Sequence, residues 1–334
     1  MQDNIIIANN IALSRNINNY PFPHKLSQTE SQNISQKINN IILECEDLSE
    51  DNFISHNIKD LSEIEKRALI ERRIISNEFS KSEIGSIIIN KDKTKCILIN
   101  DEDHIKIKIY EDKFNMDEAF NMANKIDDIL SEKIEYAFND KIGYLTCLPV
   151  NAGTGLKATV VIHLPILSLQ KKIETYSNIA HKLGANIKGI SSNKSNTLGN
   201  MFEITNQSVI GRSEKNIIES LKSLTKDIKT KENESRLLVN MEASIELEDD
   251  IYRSLGILQN CRIISAQEAM KHLSNIKLGI EMDYIKDISL KKVINLMTGM
   301  KPIMELMSPM TSDGDIKRAD FLREEFTLAN RNKK

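Results

Sequence analysis

The stretch Ser86–Tyr110, SIIINKDKTKCILINDEDHIKIKIY, decides how the chain folds. Two runs rich in β-branched residues, SIII at 86–89 and CILI at 96–99, flank a short charged segment, the pattern of a hairpin. The following IKIKIY at 105–110 adds a third strand, its apolar and polar residues alternating with period two. Between them lie Asn100-Asp101-Glu102-Asp103-His104, three acids and a histidine that a buried strand would have to dehydrate. In extended chain Asn100, Glu102, His104 and Lys106 share one face. The group is either a solvated connection or a polar site carried on a sheet.

Outward from this centre, IIIANNIALSRN at 5–16 predicts a short strand running into a polar turn, before the rigid YPFP at 20–23. Ser27 with Glu30, and Ser62 with Glu65, have the spacing of capping boxes, and each opens a helix. Downstream, MDEAFNMANKIDDILSEKI at 116–134 is a helix capped by Asn115 and Glu118, with Met116, Phe120, Ala123, Ile126, Leu130 and Ile134 as its buried stripe. GYLTCLPVNAGTGLKATVVIHLP at 143–165 reads as an apolar strand, a glycine-containing turn and a second strand. Pro165 suits the first turn of the next helix and Gly184 its end. A polar loop and one or two strands follow over 188–210. After about residue 212 the periodicity becomes helical, as in NIIESLKSLTKDI and DIKRADFLREEFTLAN. The expected architecture is α+β: an antiparallel sheet flanked by helices over 1–230, then a helical C-terminal domain over 231–334.

The 334 residues suffice for a full core and two domains, and 40% hydrophobic with 28% charged residues describes a folded chain. A net charge of -3 gives no general attraction to nucleic acid. The longest uncharged apolar run, VVIHLPIL at 160–167, is too short to span a bilayer, and MQDNIIIANN has no basic region before a long apolar core. The expectation is a cytoplasmic protein with no membrane contact. Cys45, Cys96, Cys147 and Cys261 are widely separated and expected to be reduced. Carboxylates and imidazole at Glu102 and His104 are potential metal ligands, but no HExxH or cysteine pair completes a shell, so no metal site is expected. In the turn Asn151-Ala152-Gly153-Thr154-Gly155, backbone amides could line an anion pocket with Lys157 nearby, or the glycines could simply make a tight hairpin.

Taken in order, ALSRN, INDEDHIKI, ANKIDDILSEKIEYAFN, GYLTCLPVNAGTGLKATVVIHLP, LGNMFEITNQ with GRSE, and IELEDDIYRSLGILQNCRII resemble the bacterial protein-arginine kinase family. These are relatives of the arginine and creatine kinases, which transfer phosphoryl groups to guanidino nitrogens. The similarity runs from residue 5 to about 325. It implies ATP with Mg2+ meeting a guanidinium over an antiparallel sheet, and a helical C-terminal domain used in self-association, hence a homodimer. The implied partners are protein arginine side chains or phosphoarginine, and stress-response adaptor or protease-chaperone proteins. The small helical domain of metabolite guanidino kinases has no counterpart before residue 5, which favours an exposed protein substrate.

Glu102 matches the family's catalytic glutamate in an NEEDH motif whose first Glu is here Asp101. A carboxylate there would orient a planar guanidinium by paired hydrogen bonds and draw off its proton. The resemblance places the nucleotide on Ala8-Asn9-Asn10-Ile11-Ala12, Arg73, Lys106, Lys157-Ala158-Thr159-Val160-Val161 and Lys188-Gly189-Ile190-Ser191-Ser192-Asn193. In the family five arginines face the phosphates; here those positions are Asn10, Ala12, Lys106, Lys157 and Lys188. Lysine keeps the charge but loses the planar fork, and alanine loses every donor. Asn193 stands where a substrate-facing glutamate is expected, and Leu148 where a reactive cysteine is, with Cys147 one residue earlier. Gly314-Asp315-Ile316-Lys317-Arg318-Ala319 resembles the phosphoarginine-recognition element RDxxRA and keeps Asp315 and Arg318. Arg318 then contacts an anionic side chain or forms a salt bridge on a surface helix. The resemblance therefore leaves two functions: an ATP-dependent protein-arginine kinase of weakened activity, or a non-catalytic regulatory relative. It also predicts that Glu102, Lys106, Lys157 and Lys188 border one concave site.

Overall fold

The computed structural model describes residues 4–190, 197–207, 211–242, 244–298 and 312–327. Its strands are β1 (Ile6–Arg15), β2 (Ile54–Asn57), β3 (Ser86–Ile89), β4 (Lys95–Ile99), β5 (Ile105–Glu111), β6 (Phe138–Asn139), β7 (Gly143–Tyr144), β8 (Leu156–His163), β9 (Ala185–Gly189) and β10 (Met201–Asn206). Eight form one sheet in the order β2-β3-β4-β5-β1-β8-β10-β9, every neighbouring pair antiparallel, while β6 and β7 make a separate ribbon. The hairpin is β3–β4, from Ser86 opposite Ile99 to Ile89 opposite Cys96, with β5 against β4.

Residues 5–16 differ from the short strand expected of them: β1 has ten residues and lies mid-sheet between β5 and β8. Its two asparagines look like a turn in one dimension but are accommodated in three. Asn9 Oδ1 accepts the Asn115 amide at 2.9 Å, and Asn10 lies on the face away from the main core. Residues 143–155 also depart from expectation. Only Gly143–Tyr144 is extended, and the rest is a loop closed on Tyr144 by its two backbone bonds to Gly153, 2.8 and 3.1 Å long.

The helices are α1 (Gln28–Leu43), α2 (Glu63–Glu71), α3 (Met116–Ser131), α4 (Pro165–Leu169), α5 (Ile173–Lys182), α6 (Glu214–Glu242), α7 (Ser244–Asn260), α8 (Ala266–Glu281), α9 (Leu290–Met297) and α10 (Ser312–Thr327). Both capping boxes are present, on Ser27 and Ser62. Asn115 caps no backbone amide and instead meets the Glu118 side chain. The single helix expected after Pro165 is two, parted where Lys171 adopts φ 57°. All four cysteines are free, and among the described residues no helix is long and apolar enough to cross a membrane.

The sheet's alternation separates its faces. Ile11, Leu13, Ile105, Ile107, Ile109, Leu156, Ala158, Val160 and Ile204 pack against α1, α3 and the first half of α6 in the main core. On the other face, Ile87, Ile89, Cys96 and Leu98 are covered by Leu69, Ile74, Ile75 and Phe79. A third cluster, built from α7–α10, reaches the sheet at Ile7, Ala8, Val161 and Ile190. Between these two covers the second face of β5, β1, β8 and β10 is left as a polar strip. The boundary expected at 230/231 falls inside α6, whose early residues Ile217 to Ile228 serve the main core. Beyond it, Glu232 and Arg236 of α6 meet Glu281 and Lys277 of α8 in a fully buried charge network.

Candidate functional site

Strand register lays out the strip. Ala12 of β1 stands opposite Lys108 of β5 on one side and Lys157 of β8 on the other. Asn10 stands between Tyr110 and Thr159, and Lys188, Glu203 and Val161 follow one another across β9, β10 and β8. Ala8, Asn10, Ala12, Lys157, Thr159, Val161 and Lys188 therefore share this face. Asn9, Ile11, Ala158 and Val160 turn the other way, because successive side chains of a strand alternate; the last three are in the main core. Gly189 and Ile190 close the end of β9, with Ile190 against the C-terminal cluster. Ser191, Ser192 and Asn193 lie outside the described residues.

Residues 100–104 are a tight connection from β4 to β5. Asn100 takes φ 57°, and its amide donates to the His104 carbonyl at 3.0 Å. Asp103 is fully buried and accepts from Asn16 Nδ2 and the Cys147 amide, both at 2.7 Å. His104 is equally buried: its Nδ1 accepts the Ile17 amide at 3.0 Å and its Nε2 lies 2.9 Å from the Pro21 carbonyl. These partners require a neutral ring protonated on Nε2, and burial holds its pKa below the ordinary value. His104 thus pins the loop, leaving Glu102 as its half-exposed carboxylate, 49% accessible.

Lys106 Nζ binds Asp101 Oδ2 at 2.7 Å and Glu102 Oε2 at 2.8 Å. Burial alone would raise the Glu102 pKa, but Lys106, with Lys157 and Lys108 behind it, brings it below the usual carboxylate range. For Lys106 itself burial is outweighed by the two carboxylates, and its pKa rises. Lys108, unremarked in the sequence, sits beside it because IKIKIY alternates. Its ammonium donates to the Arg73 and Ile74 carbonyls at 2.8 and 2.7 Å, and burial lowers its pKa to about 8. Arg73, in left-handed conformation at φ 58°, also accepts Tyr110 Oη on its carbonyl at 2.8 Å, while its guanidinium pairs with Glu203. Glu102, Lys106 and Lys157 thus lie together; Lys188 shares the face two strands beyond β8. Lys157 and Lys188 are exposed.

The turn at 151–155 takes the structural alternative, though not as a tight hairpin. The amides of Asn151, Ala152, Gly153 and Gly155 donate to Leu148, Pro149, Tyr144 and Asn151 carbonyls, so they line no anion pocket. Arg15 holds the turn from behind: it donates to the Thr154 carbonyl at 2.9 Å, bridges Asp127 at 2.6 Å, and lies 3.7 Å from the Tyr144 ring centre. Gly155, at φ 68°, has space for no Cβ, which would meet Arg15 Nη1 and the Ser14 carbonyl oxygen at 2.5 Å. Leu148 is exposed at this loop, and burial raises the neighbouring Cys147 thiol.

Past Ala8 and Tyr110 a cavity of about 910 Å³ opens between the sheet and the C-terminal helices, with Ile6, Ile74, Ile285 and Ile294 among its walls. In α10, Arg318 is 2% exposed, and its Nη1 donates to the Ile264 carbonyl at 2.7 Å and to Asp315 at 2.6 Å. This pair fastens α10 to the turn before α8; the salt bridge is inward, on a buried guanidinium. Among the described residues no group of three or more His, Cys, Asp or Glu side chains could hold a metal ion.

Residues 33–235 match the family model of the ATP:guanido phosphotransferase C-terminal catalytic domain, and residues 244–334 that of the protein-arginine kinase McsB C-terminal domain. The protein-arginine kinase of Clostridium kluyveri is 36% identical over 329 residues, covering 97% of this chain and 95% of that one. That of Bacillus subtilis is 35% identical over 331 residues, covering 98% and 91%. Among solved structures, the duplicated taurocyamine kinase of Schistosoma mansoni with bound transition state analog components superposes with a TM-score of 0.64 at 18% identity; the match covers 77% of this chain and 39% of that one. Lombricine kinase superposes with a TM-score of 0.60 at 21% identity, covering 73% and 69%. At these identities the structures establish a shared guanidino-kinase fold.

Proposed function

The chain belongs to the ATP:guanido phosphotransferase family, in its protein-arginine kinase branch, and from that premise we propose that it phosphorylates protein arginine side chains with magnesium-ATP at a low rate. The observation that carries this reading is a half-exposed Glu102 on the same face as the exposed Lys157, beside the polar strip. Glu102 would orient the acceptor guanidinium and take its proton as nitrogen attacks the γ-phosphorus and the bridging oxygen leaves with ADP. Lys157 and Lys188 would hold phosphate oxygens, and the cavity beyond Ala8, lined by Ile6, Ile74, Ile285 and Ile294 together with charged and polar side chains such as Lys113 and Asn295, offers space for the base. Slow turnover follows from the strip's chemistry. One well-placed transition-state donor is worth roughly 3–4 kcal/mol, and five planar forks are replaced by three ammoniums, an amide and a methyl.

The second reading, a non-catalytic regulatory relative, is favoured by the use already made of two strip lysines. Lys106 is held by Asp101 and Glu102, and Lys108 by two carbonyls. On either reading the family premise extends to stress-response adaptor or protease-chaperone partners in the cytoplasm. It also extends to a homodimer formed through the helical region 231–334, where Leu237, Leu238 and Ile245 are exposed. The buried Arg318 leaves phosphoarginine recognition to other groups around α10 unless its pair with Asp315 opens.

Calorimetry with magnesium-ATP and a phosphoarginine assay that avoids acid test the two. The kinase reading expects weak binding and slow transfer that Glu102→Gln abolishes. Transfer that survives Glu102→Gln overturns the site assignment, and absent transfer with intact adaptor binding selects the regulatory reading. Gain of nucleotide affinity in Asn10→Arg/Ala12→Arg would identify the lost forks as the cause of weakness.

A further inference from the structure

The nucleotide strip is crossed by an ion pair between Arg73, a position the resemblance assigns to the nucleotide, and Glu203, which the resemblance does not assign. Arg73 lies in the turn after α2, and Lys108 Nζ and Tyr110 Oη, both on β5, fix its carbonyl at 2.8 Å. From this anchor the side chain reaches Glu203 on β10, with β1 and β8 between. Three strand spacings make that crossing roughly 14 Å of sheet. Beneath it run Asn10 and Thr159, which face each other across β1 and β8. A planar guanidinium, the group missing from five positions of the strip, is thus brought over it from another segment.

We propose that Glu203 is an internal competitor of nucleotide phosphates for Arg73, a latch that closes over the strip and sets its affinity for polyphosphate anions. The inference rests on the nucleotide-strip reading above. Three features carry it. Arg73 is anchored at its backbone, so its guanidinium can change partner without moving the chain. Both side chains remain partly open to solvent, 43% for Arg73 and 32% for Glu203, so exchange needs no unfolding. The exchange is also chemically matched, because the fork that binds a carboxylate in two places binds a phosphate equally well. Occupancy of the strip and release of Glu203 are then one event.

The test uses the full-length wild type, Glu203→Gln, Arg73→Gln and the double variant, titrated calorimetrically with magnesium-ATP and with magnesium tripolyphosphate. Glu203→Gln is expected to tighten both anions about two- to fivefold, the range an exposed ion pair supplies. Arg73→Gln should weaken them, and Glu203→Gln should add nothing in its background. An unchanged affinity in Glu203→Gln, or a gain that persists without Arg73, overturns the latch while leaving the nucleotide reading in place. If no variant binds either anion, the nucleotide reading fails and the latch falls with it. Phenylglyoxal labelling of Arg73, mapped by mass spectrometry, supplies a second readout of the exchange: labelling that slows on addition of tripolyphosphate in Glu203→Gln more than in wild type supports the latch, and equal protection in both overturns it.

Discussion

Replacing Arg236 by methionine would probe the junction between the two cores. Its Nε binds Glu232 at 2.9 Å and its Nη1 binds Glu281 at 3.0 Å, with all three side chains at most 2% exposed. Glu232 also accepts the Ile166 and Leu167 amides at 3.2 and 2.9 Å. Glu281 takes Lys277 at 2.6 Å, and Lys277 reaches the Asn4 carbonyl at 2.9 Å. Two cations and two anions make a neutral buried set; without Arg236 one negative charge is left over in a dry site. Breaking a buried pair in this way costs about 3–5 kcal/mol, whereas its intact net worth is small. Arg236→Met/Glu232→Gln restores neutrality, keeps an acceptor for the α4 amides, and should recover stability to within roughly 2 kcal/mol of wild type. Because the chain has no tryptophan, urea unfolding is followed by far-ultraviolet circular dichroism. A single-variant cost below about 1 kcal/mol, or a double variant no better than the single, would refute the argument that uncompensated charge dominates here.

Two further outcomes follow from the site. Gly155→Ala forces a Cβ against Arg15 and the Ser14 carbonyl at positive φ, and is expected to cost about 2 kcal/mol or more in urea unfolding; a neutral result would mean the turn is not held from behind. Lys108 has a folded pKa of about 8 against an ordinary value of 10.5, so the unfolded chain binds the extra proton between those pH values. Stability contributed through Lys108 therefore rises from pH 8 to 10.5, and the cost of Lys108→Met should grow over that window; a cost that is flat or falls would contradict its buried position.

The hairpin, the third strand and the helical change after residue 212 were legible because alternation and helical periodicity are local. The central place of β1 was not, since Asn9 and Asn10 resemble a turn until Asn115 and the open strip are brought beside them. The same limit governs the site. Glu102 and Lys106 were both found through resemblance. The partnership of Lys108 with Arg73, and of Arg73 with Glu203, joins segments 35 and 130 residues apart, and no spacing rule reports it. Phe202-Glu203-Ile204 did carry a signal, a charge alternating with two core residues, but only the sheet order says what it faces. Arg318 illustrates the converse: a motif match located the residue, and burial decided that its charge is directed inward.

The division of the sheet into a packed face and a polar face has a consequence for how this protein can change. Asn10, Ala12 and Lys157 lie on strands whose opposite faces supply Ile11, Leu13, Ala158 and Val160 to the main core. Exchanges at exposed positions of the polar side, such as Lys157 and Lys188, leave that packing untouched, so the chemistry of the strip can drift there with little penalty in folding. The molecule therefore has a scaffold that keeps its shape while its reactivity is lost, regained or redirected, and a lineage could pass between catalyst and silent binding partner through a few substitutions without ever crossing an unfolded intermediate.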